Sequence, residues 1–316
     1  MARYVVGRLL LLAPTLVGMS VLIFVLVRLL PGDVVDAMLT GDVGASASAK
    51  QAVRQALGLA DPLPVQYVKL VGGVLTGHLG NSLTSGEPIA RIMARAVPIT
   101  AELAVLAVVL ATAVGIPLGV LSAVRRNSVS DFLARVAGLA GLSVPNFWFA
   151  TLALLVGSLV FHWIPPVTWI PPWQHLWANL GQMAIPALAI SVYLMAIVMR
   201  MTRGTMLEVL GLDYIRTARA KGVSAPSVVF RHALRNSLIP VITVIGFQVG
   251  TLMGGATVVE VIFGLPGMGY TLVQGIFGRD YPVIEISAMF LAAVFVFVNL
   301  LVDLLYGVLD PRIEQA

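Results

Sequence analysis

The chain has 316 residues, of which 59% are hydrophobic and only 11% are charged, whereas soluble globular proteins carry roughly 25% charged residues. This shortage of polar surface excludes a water-soluble body of this size and excludes long disordered regions. The net charge is +5 and the sequence contains no cysteine, which excludes disulfides, thiolate metal sites and cysteine nucleophiles. We therefore expect a protein that crosses a membrane several times.

The charged residues avoid six long stretches of the sequence. A helix of about 20 residues crosses a hydrocarbon core about 30 Å thick, and a segment inside lipid must satisfy its own backbone hydrogen bonds, as a helix does. The pattern predicts an all-α, polytopic fold in which residues 1–316 form a single transmembrane domain. Six transmembrane helices are predicted at about 9–30, 99–124, 133–161, 177–200, 238–260 and 284–308, because Asp, Glu, Lys and Arg are absent from 9–27, 103–124, 136–161, 176–199, 238–259 and 286–302.

The first stretch is predicted to be a retained helix, because it is too long for the core of a signal peptide and no small-residue cleavage site follows it. The long loop 31–98 comes next. Within this loop, residues 46–57 are predicted to form a short helix that ends at Gly58, and the sequence Asp-Pro-Leu-Pro at 61–64 predicts a turn.

Basic residues are concentrated on one side of the predicted spans. An even number of spans places both termini on the same side, and that side holds 13 of the 20 Lys and Arg residues. Among the short loops of the other side, 161–176 has no Lys or Arg and 260–285 has only Arg279. Since basic residues are enriched in cytoplasmic loops, both termini are predicted to be cytoplasmic and the loop 31–98 to be external.

Polar residues are rare in the spans, and each is a functional hypothesis because polar groups are costly in lipid. Glu102 starts the second span, where we expect it to be solvated or paired at the outer interface. Asn146 follows Pro145 in the third span, and a proline frees a backbone carbonyl and can kink a helix. Two interpretations of Asn146 are open: a gate or path-lining bend, or a packing kink that its amide satisfies.

The external loop after the third span is rich in tryptophan and proline. Tryptophan is enriched at membrane–water interfaces, so one interpretation is an interfacial aromatic belt, and the other is a substrate vestibule lined by some of the rings. The residues concerned are Trp163, Trp169, Trp173 and Trp177, interleaved with Pro165, Pro166, Pro171 and Pro172.

The cytoplasmic loop 203–237 is long for a compact membrane bundle and carries basic residues in a helical pattern. A first helix is predicted from Asp213, an acid near its start, to Gly222, a glycine at its end. A second helix is predicted over 224–235, with Pro226 in its first turn. Basic helices usually lie against anionic headgroups, but two short helices joined at a glycine also form a protruding knob that suits docking into a cleft of another protein.

The fifth span carries glycines at every fourth position, and these form a smooth face for close helix packing. Gln248 lies off this face and is a candidate for a translocation path. The glycines are Gly246, Gly250 and Gly254.

Three further polar residues lie in the last two spans. Glu260 ends the fifth span close to Phe263, and it either helps to close an outer gate or pairs with an arginine such as Arg279. In the last span, Asn299 and Asp303 are four residues apart and share one helix face. For Asp303, a structural pair with an arginine of the preceding cytoplasmic loop and a contact with substrate are both open.

The order of several short motifs resembles a known family. Ala218-Arg219-Ala220-Lys221-Gly222, followed by Phe230-Arg231-His232-Ala233-Leu234-Arg235-Asn236 and Leu238-Ile239-Pro240, is similar to the coupling loop of ABC-importer permeases of the dipeptide/oligopeptide/nickel branch. Other motifs of this branch occur in the same order along almost the whole chain: Leu30-Pro31-Gly32-Asp33, Gly80-Asn81-Ser82, Gly115-Ile116-Pro117-Leu118-Gly119, Ser143-Val144-Pro145-Asn146-Phe147-Trp148, Pro266-Gly267-Met268-Gly269, Arg279-Asp280-Tyr281-Pro282 and Leu309-Asp310-Pro311-Arg312.

The sequence departs from the general importer motif at one place. That motif begins Glu-Ala-Ala six residues before its glycine, whereas this chain has Arg216, Thr217 and Ala218 at those positions. The spacing from Gly222 to Pro240 is also longer than in the general motif. Both features resemble the peptide branch, and a salt bridge that needs the glutamate is not carried over.

The resemblance implies an ABC-importer permease fold and the role of a transmembrane permease subunit in an ATP-driven, binding-protein-dependent importer of di- or oligopeptides. Nickel, glutathione and oligosaccharides travel through similar permeases and remain alternative substrates. The implied partners are a second homologous permease, two ATP-binding subunits, an extracytoplasmic substrate-binding protein and lipid of a bacterial or archaeal inner membrane. The implied ATPase-coupling residues are Asp213, Tyr214, Arg216, Thr217, Ala218, Arg219, Ala220, Lys221, Gly222, Arg231 and Arg235, and the candidates for the path or gate are Asn146, Gln248, Glu260, Phe263, Asn299 and Asp303.

The sequence carries no motif for ATP binding. Because Gly-x-x-x-x-Gly-Lys-Ser/Thr does not occur in it, the chain is not expected to be an enzyme, and ATP and Mg²⁺ are expected in partner subunits. Catalytic, cofactor and metal residues are not predicted, nor is nucleic acid as a partner. An ion-gradient-driven secondary transporter is the alternative from another class, but the sequence lacks the two similar halves and the midplane charge pair of that class. It also lacks the His-Glu-x-x-His and Gly-x-Ser-x-Gly patterns of an intramembrane enzyme.

Overall fold

The computed structural model describes residues 2–29, 35, 47–56, 58–166 and 168–309. Over these residues the chain is helical and contains no strand apart from an isolated bridge between Asn81 and Pro88. Five described helices are long and apolar enough to cross a membrane, and two bent helix pairs could raise that number to seven. The predicted all-α, polytopic membrane fold is confirmed, while the number six, the span bounds and the single domain stay predictions.

The helices form two compact units. The first unit comprises Ala101–Leu265 with Phe297–Ala316, and the second comprises Ala2–Thr100 with Pro266–Val296. In chain order, α1 is Ala2–Leu29, α2 is Ala47–Ala56, α3 is Leu63–Thr76, α4 is Ile89–Val124, α5 is Val129–Ser143 and α6 is Asn146–Phe161. They are followed by α7 at Leu176–Leu210, α8 at Asp213–Ala220, α9 at Ala225–Ser227, a π-helical turn at Val228–Leu234, α10 at Arg235–Phe263, α11 at Met268–Gly278 and α12 at Tyr281–Leu309.

In the first unit, α7 packs against α5, α6 and α10. Its apolar side chains Ala187, Ile190, Leu194 and Val198 are fully buried, and their spacing of three and four residues places them along one side of the helix. Helices in lipid associate through close packing rather than through exclusion of water. α7 is therefore the helix around which α5, α6 and α10 are packed.

The predicted third span is two helices in the structure. α5 and α6 diverge by 104°, and the connecting Val144 and Pro145 both have extended backbone conformations. A proline excludes the residue before it from the α conformation, so Val144 ends one helix, and the Pro145 carbonyl accepts hydrogen bonds from the first turn of the next. The sequence predicts a kink at this position, and the structure has a complete break.

In the second unit, one apolar cluster joins the start of α4 to α11 and α12. The backbone N–H of Met268 donates a hydrogen bond to Thr100 Oγ1 at 2.8 Å, which satisfies a donor at the start of α11. The buried members of the cluster are Ile89, Met93, Ala96, Met268, Val283 and Ile286.

A polar network joins α1, α3 and α12 in the same unit. The Arg28 guanidinium pairs with the Glu285 carboxylate and donates to Gln66 Oε1 at 3.0 Å. It also lies 4.4 Å from the centre of the Phe24 ring, where a cation–π contact is favourable. Arg28 thus holds the end of the first predicted span against α3 and α12. In the sequence, Arg28 is only the residue at which the first apolar stretch ends.

The loop predicted over 31–98 contains more helix than the sequence indicates. The predicted short helix is confirmed as α2, and Gly58 follows it with φ of +68°, while residues 46 and 57 lie outside the described residues. The turn predicted over 61–64 is wrong in its second half, because Leu63 and Pro64 form the first turn of α3. A proline is tolerated there since the first helical N–H groups have no intrahelical acceptor.

Candidate functional site

The segment between α7 and α10 folds as a small helical projection, which we call the knob (residues 213–236). α8 forms its first arm and ends at Ala220, and two residues later Gly222 has a φ of +78°, in the left-handed region. The N–H of Gly222 donates to the Arg219 carbonyl at 3.0 Å, and that of Val223 donates to the Ala218 carbonyl at 3.2 Å. This is the usual way in which a glycine ends a helix, and it turns the chain back toward α9.

An apolar cluster fixes the knob to the ends of α4 and α7. Ile215 of α8 and Ala233 of the π-helical turn are fully buried, and both pack with Met206 of α7. The other buried members are Val120, Ala123 and Val228. The knob is therefore anchored to α4 and α7 by close packing of apolar side chains.

Two hydrogen bonds join the arms of the knob. The hydroxyl of Tyr214 donates to the His232 carbonyl at 3.2 Å, and the side-chain amide of Asn236 donates to the Tyr214 oxygen at 2.8 Å. The predicted contact residue Tyr214 therefore also holds α8 to the second arm, which the sequence pattern did not indicate.

The second arm differs from the α-helix predicted over 224–235. α9 begins with Pro226 in its first turn, as predicted, but the chain then forms a π-helical turn and continues without a break into α10. A π-helical turn accommodates an extra residue in the helix, and this turn buries both Val228 and Ala233. The knob is consequently continuous with one of the apolar spans.

The outer surface of the knob carries basic side chains together with the exposed ring of Phe230. Ile215 points into the apolar cluster, whereas Ala218 is half-buried and Tyr214 is 40% exposed. Arg216 pairs with Asp213 at 3.2 Å on this surface. A short helix with one buried residue and exposed small and basic residues can be held by a cleft of another protein. The other predicted coupling residues are all exposed: Asp213, Arg216, Thr217, Arg219, Ala220, Lys221, Gly222, Arg231 and Arg235.

The candidate path residues occupy different levels of the first unit. Asn146 begins α6, and its side-chain nitrogen lies 3.4 Å from the position that a Cβ atom would take at Gly255. Gln248 is half-buried on α10, about 18 Å along the helix from Glu260 at 1.5 Å per residue. Asn299 is half-buried on α12, and the side chain of Asp303 lies outside the described residues.

The glycines of α10 pack differently from the predicted stripe. A Cβ atom at Gly246 would meet Val302 of α12 at 2.8 Å, whereas one at Gly254 would have no atom within 4 Å. The next residue, Gly255, faces Asn146 instead. The close approach of Asn146 to Gly255 favours the interpretation in which Asn146 packs at the break. The same amide lies at the start of α6, beside α10.

Glu260 and Phe263 are both buried near the end of α10. The Phe263 ring meets the Trp163 ring edge-on, with centroids 6.1 Å apart. A Cβ atom at Gly157 of α6 would lie 3.3 Å from the Trp163 ring. Phe263 therefore closes an aromatic contact between α10 and the tryptophan-rich loop.

The four tryptophans of that loop divide into two pairs. Trp173 and Trp177 are 71% and 83% exposed, as a membrane–water belt requires. Trp169 instead donates from Nε1 to Glu102 Oε2 at 2.9 Å, and with Trp163 it is partly buried against protein. The belt interpretation fits the first pair, and the second pair lies against the helices of the first unit.

Two buried polar residues that the sequence analysis did not select hold this loop to α7. The side-chain amide of Gln182 accepts from the N–H of Ile170 at 3.1 Å and donates to the Thr168 carbonyl at 3.0 Å. Asn179 donates to the Ile170 carbonyl at 2.8 Å. Their spacing of three residues in the first turns of an apolar helix is the signal that could have found them.

A buried carboxylate at the start of α5 was also missed. Asp131 is fully buried and pairs with Arg203 of α7 at 2.8 Å. It is the only acidic residue in the sequence between Glu102 and Glu208. A single acid among Arg125, Arg126 and Arg135, in a long stretch with no other carboxylate, is the available signal, because a buried charge requires a partner.

Several apolar helices and an exposed helical projection between two of them define a polytopic membrane protein that can dock a partner. Residues 115–315 match the family described as binding-protein-dependent transport system inner membrane component, and residues 1–104 match the N-terminal region of such membrane components. The chain belongs to the family of binding-protein-dependent transport system inner membrane components.

Several curated proteins are similar over the full length. The dipeptide transport system permease protein DppB of Escherichia coli strain K12 is 40% identical, over 100% of this chain and 99% of that protein. A putative peptide permease protein of Brucella ovis is 41% identical over 99% of each chain. The di/tripeptide transport system permease protein DppB of Pseudomonas aeruginosa is 39% identical, over 100% of this chain and 99% of that protein.

The chain is therefore a permease component of a binding-protein-dependent transport system and a multi-pass protein of the inner membrane. A system of this kind implies ATPase and substrate-binding proteins as partners. The resemblance expressed by the ordered sequence motifs is thus confirmed at the level of the family.

Proposed function

We propose that this chain is one of two homologous permease subunits of an ATP-driven importer of di- or oligopeptides. Two ATP-binding subunits dock on the cytoplasmic side, and a substrate-binding protein delivers peptide from outside. The observation that carries this proposal is the exposed knob that is continuous with α10 and packed on α4 and α7. Peptide as the substrate is supported by the names of the full-length relatives.

The coupling role follows from the construction of the knob. Its exposed side offers Arg216, Arg219, Lys221 and the glycine turn at Gly222 to a partner, while Ile215 ties it to the spans. Energetic coupling between distant sites needs an element that both sites bias. When the ATP-binding subunits close, a knob held in their cleft moves with them, and α10 and α7 move with the knob.

ATP hydrolysis is assigned to the partners because this sequence has no phosphate-binding Gly-x-x-x-x-Gly-Lys-Ser/Thr loop. Both termini and the knob lie in the cytoplasm in this arrangement, since the basic residues are concentrated on that side of the predicted spans. No cofactor or metal is assigned to this chain.

The translocation path is proposed to run beside α6 and α10. Asn146 at the start of α6 and Gln248 of α10 offer amides to a peptide backbone, and Phe263 with Glu260 closes the outer end. Asn299 and Asp303 extend the same path along α12. A path with few polar groups suits a substrate that was selected elsewhere, because conduction requires binding weak enough for release.

The first experiment compares two glycine substitutions in the complete complex, reconstituted in liposomes with the binding protein and ATP. Gly222 and Gly77 both follow a helix with φ close to +77°, and both have open space around the position of a Cβ atom. Gly222→Trp places a large ring on the docking surface and is expected to lower peptide uptake at least about tenfold. Gly77→Trp imposes the same backbone strain outside the knob and is expected to keep uptake within about twofold.

Retention of the ATP-binding subunits is measured in the same preparations. Wild-type uptake by the Gly222→Trp complex would remove the knob from the mechanism. Uptake that survives ATP depletion but collapses with the ion gradient would instead indicate a secondary transporter.

A further inference from the structure

Glycines on α4 and α5 hold α7 at very short distances in the first unit. A Cβ atom at Gly119 of α4 would lie 2.6 Å from Thr202, and one at Gly115 would lie 2.9 Å from the Met195 carbonyl oxygen. On α5, a Cβ atom at Gly141 would lie 3.2 Å from the Cβ of Ala196. α4 and α5 therefore both contact the same stretch of α7 through glycines.

Small residues let helix backbones approach closely in a membrane, and the side chains of Thr202 and Val198 of α7 lie over Gly119 and Gly115. A hydrogen-bonded ion pair adds a directional constraint on the register to this packing. Such an ion pair is made by Arg203, the residue after Thr202.

Arg203 donates two parallel hydrogen bonds to the Asp131 carboxylate. Its Nε donates to Asp131 Oδ1 at 2.8 Å, and its Nη2 donates to Asp131 Oδ2 at 3.1 Å. This bidentate arrangement is the strongest and most directional form of an arginine–carboxylate pair. Asp131 is fully buried, so the pair joins α7 to the first turn of α5 in one orientation.

The remaining acceptor sites of the carboxylate are also occupied. Ser122 Oγ, near the end of α4, donates to Oδ1 at 2.6 Å, and the N–H of Asn127 donates to Oδ2 at 3.0 Å. A carboxylate accepts about four hydrogen bonds, and Asp131 receives that number from three parts of the chain. Each of these hydrogen bonds is directional, so the cluster adds a geometric constraint that apolar packing alone lacks.

This cluster lies directly beside the base of the knob. Ala123 follows Ser122, and Met206 lies one helical turn after Arg203. Both residues belong to the apolar cluster that holds Ile215 of the knob. The carboxylate cluster and the apolar cluster that holds the knob thus use neighbouring residues of α4 and α7.

We propose that Asp131 is a positioning residue that locks α4, α5 and α7 in register, so that a displacement of the knob is delivered to the spans without sliding between them. Arg203 and Ser122 are the partners through which it acts. The inference rests on the proposed role of the knob in docking the ATP-binding subunits. Without the carboxylate, the glycine faces let α7 move against α4 and α5, and ATP hydrolysis continues with little transport.

The test measures peptide uptake per ATP hydrolysed by the reconstituted complex. Asp131→Asn keeps the size of the side chain but removes the charge, and we expect the transport per ATP to fall about tenfold while the ATP-binding subunits stay bound. Arg203→Lys keeps the charge without the two-pronged geometry and should give an intermediate loss. Asp61→Asn is the matched control, because it removes the carboxylate of the exposed Lys69 ion pair and should leave the ratio unchanged.

Register is measured directly between spin labels on introduced cysteines, since the chain has no cysteine of its own. The labels replace Leu139 of α5 and Leu188 of α7, which are 66% and 40% exposed; one narrow distance distribution is expected in the wild-type background and a broader one with Asp131→Asn. An unchanged distance distribution together with a wild-type transport ratio would overturn the proposal. If the Asp131→Asn chain does not assemble with its partners, Ser122→Ala provides the test. It removes one hydrogen bond to Asp131 and should lower the transport per ATP about twofold. A wild-type value of transport per ATP in this variant would overturn the proposal.

The two hypotheses fail in different ways. If Gly222→Trp blocks uptake and Asp131→Asn does not, the coupling role of the knob stands and the register role of Asp131 is wrong. If Gly222→Trp has no effect, the assignment of the knob itself is wrong.

Discussion

Asp280 lies buried just before α12 and accepts hydrogen bonds from a segment almost 200 residues earlier. Ser82 Oγ donates to its carboxylate at 2.6 Å, and Thr84 donates from Oγ1 at 2.9 Å and from its N–H at 3.2 Å. Ser82 is itself buried. One carboxylate thus ties the end of the loop after α3 to the start of a span within the second unit.

Asp280→Ala is expected to destabilise the protein, because it leaves the buried hydroxyl of Ser82 without its acceptor. A buried donor without an acceptor costs about 1–3 kcal/mol, and a loss near 2 kcal/mol lowers the melting temperature by about 5 °C. Thermal unfolding of the purified chain in detergent measures this shift. Arg95→Gln is the control, because the Arg95 side chain is 64% exposed in its pair with Glu87, and exposed pairs contribute little; an equal shift in both variants would contradict the role of Asp280.

The sequence indicated both halves of this contact but not the contact itself. Ser82 and Asp280 each lie in a motif of the family, yet 198 residues separate them, and one sequence offers no signal for such a pairing. The Asp131–Arg203 pair was missed for the same reason. In the knob, by contrast, the helix start at Asp213 and the glycine at Gly222 are local signals, and the structure places α8 between them.

The break between α5 and α6 shows what an element-scale pattern can predict. Pro145 is visible in the sequence, and its effect on Val144 follows from local sterics. The angle of 104° does not follow, because it depends on how both helices pack on α7. The π-helical turn after α9 has no local signal either, since its residues are ordinary helix formers and burial of Val228 and Ala233 selects it.

Pro145→Ala is expected to allow a helix that continues from α5 into α6 and to lower peptide uptake about tenfold, because Asn146 would leave Gly255. The shape change can be measured between spin labels at Val129 and Phe161, which are 75% and 73% exposed. Helices that diverge by 104° place these ends about 28 Å apart, and one straight helix places them about 48 Å apart.

Pro14→Ala is the matched control for this substitution, since Pro14 lies inside α1 without interrupting the helix. It should leave both the label distance and the uptake unchanged. A distance near 28 Å in the Pro145→Ala variant would show that tertiary packing, and not the proline, maintains the break.

For the whole molecule, the distribution of charge determines much of what the sequence reveals. Apolar stretches long enough for spanning helices identified the membrane class, and five described helices meet the same requirement. The division into two compact units had no counterpart in the sequence analysis, because α4 and α12 each contribute residues to both units while their hydropathy is continuous. Some motifs, including residues 30–33 and 310–312, lie outside the described residues, although the family matches include them.

The orientation of the protein in the membrane decides whether the knob can meet an ATP-binding subunit. With the six predicted spans, 13 of the 20 basic residues fall on the side of the termini and the knob, and such a bias marks the cytoplasmic side. A fluorescent protein fused after Ala316 is therefore expected to fluoresce, and alkaline phosphatase at the same position to be inactive. Phosphatase inserted at Gly86, in an exposed turn of the predicted external loop, should be active. The reverse pattern would place the knob outside the cell, where ATP cannot drive it, and would contradict the coupling mechanism along with the topology.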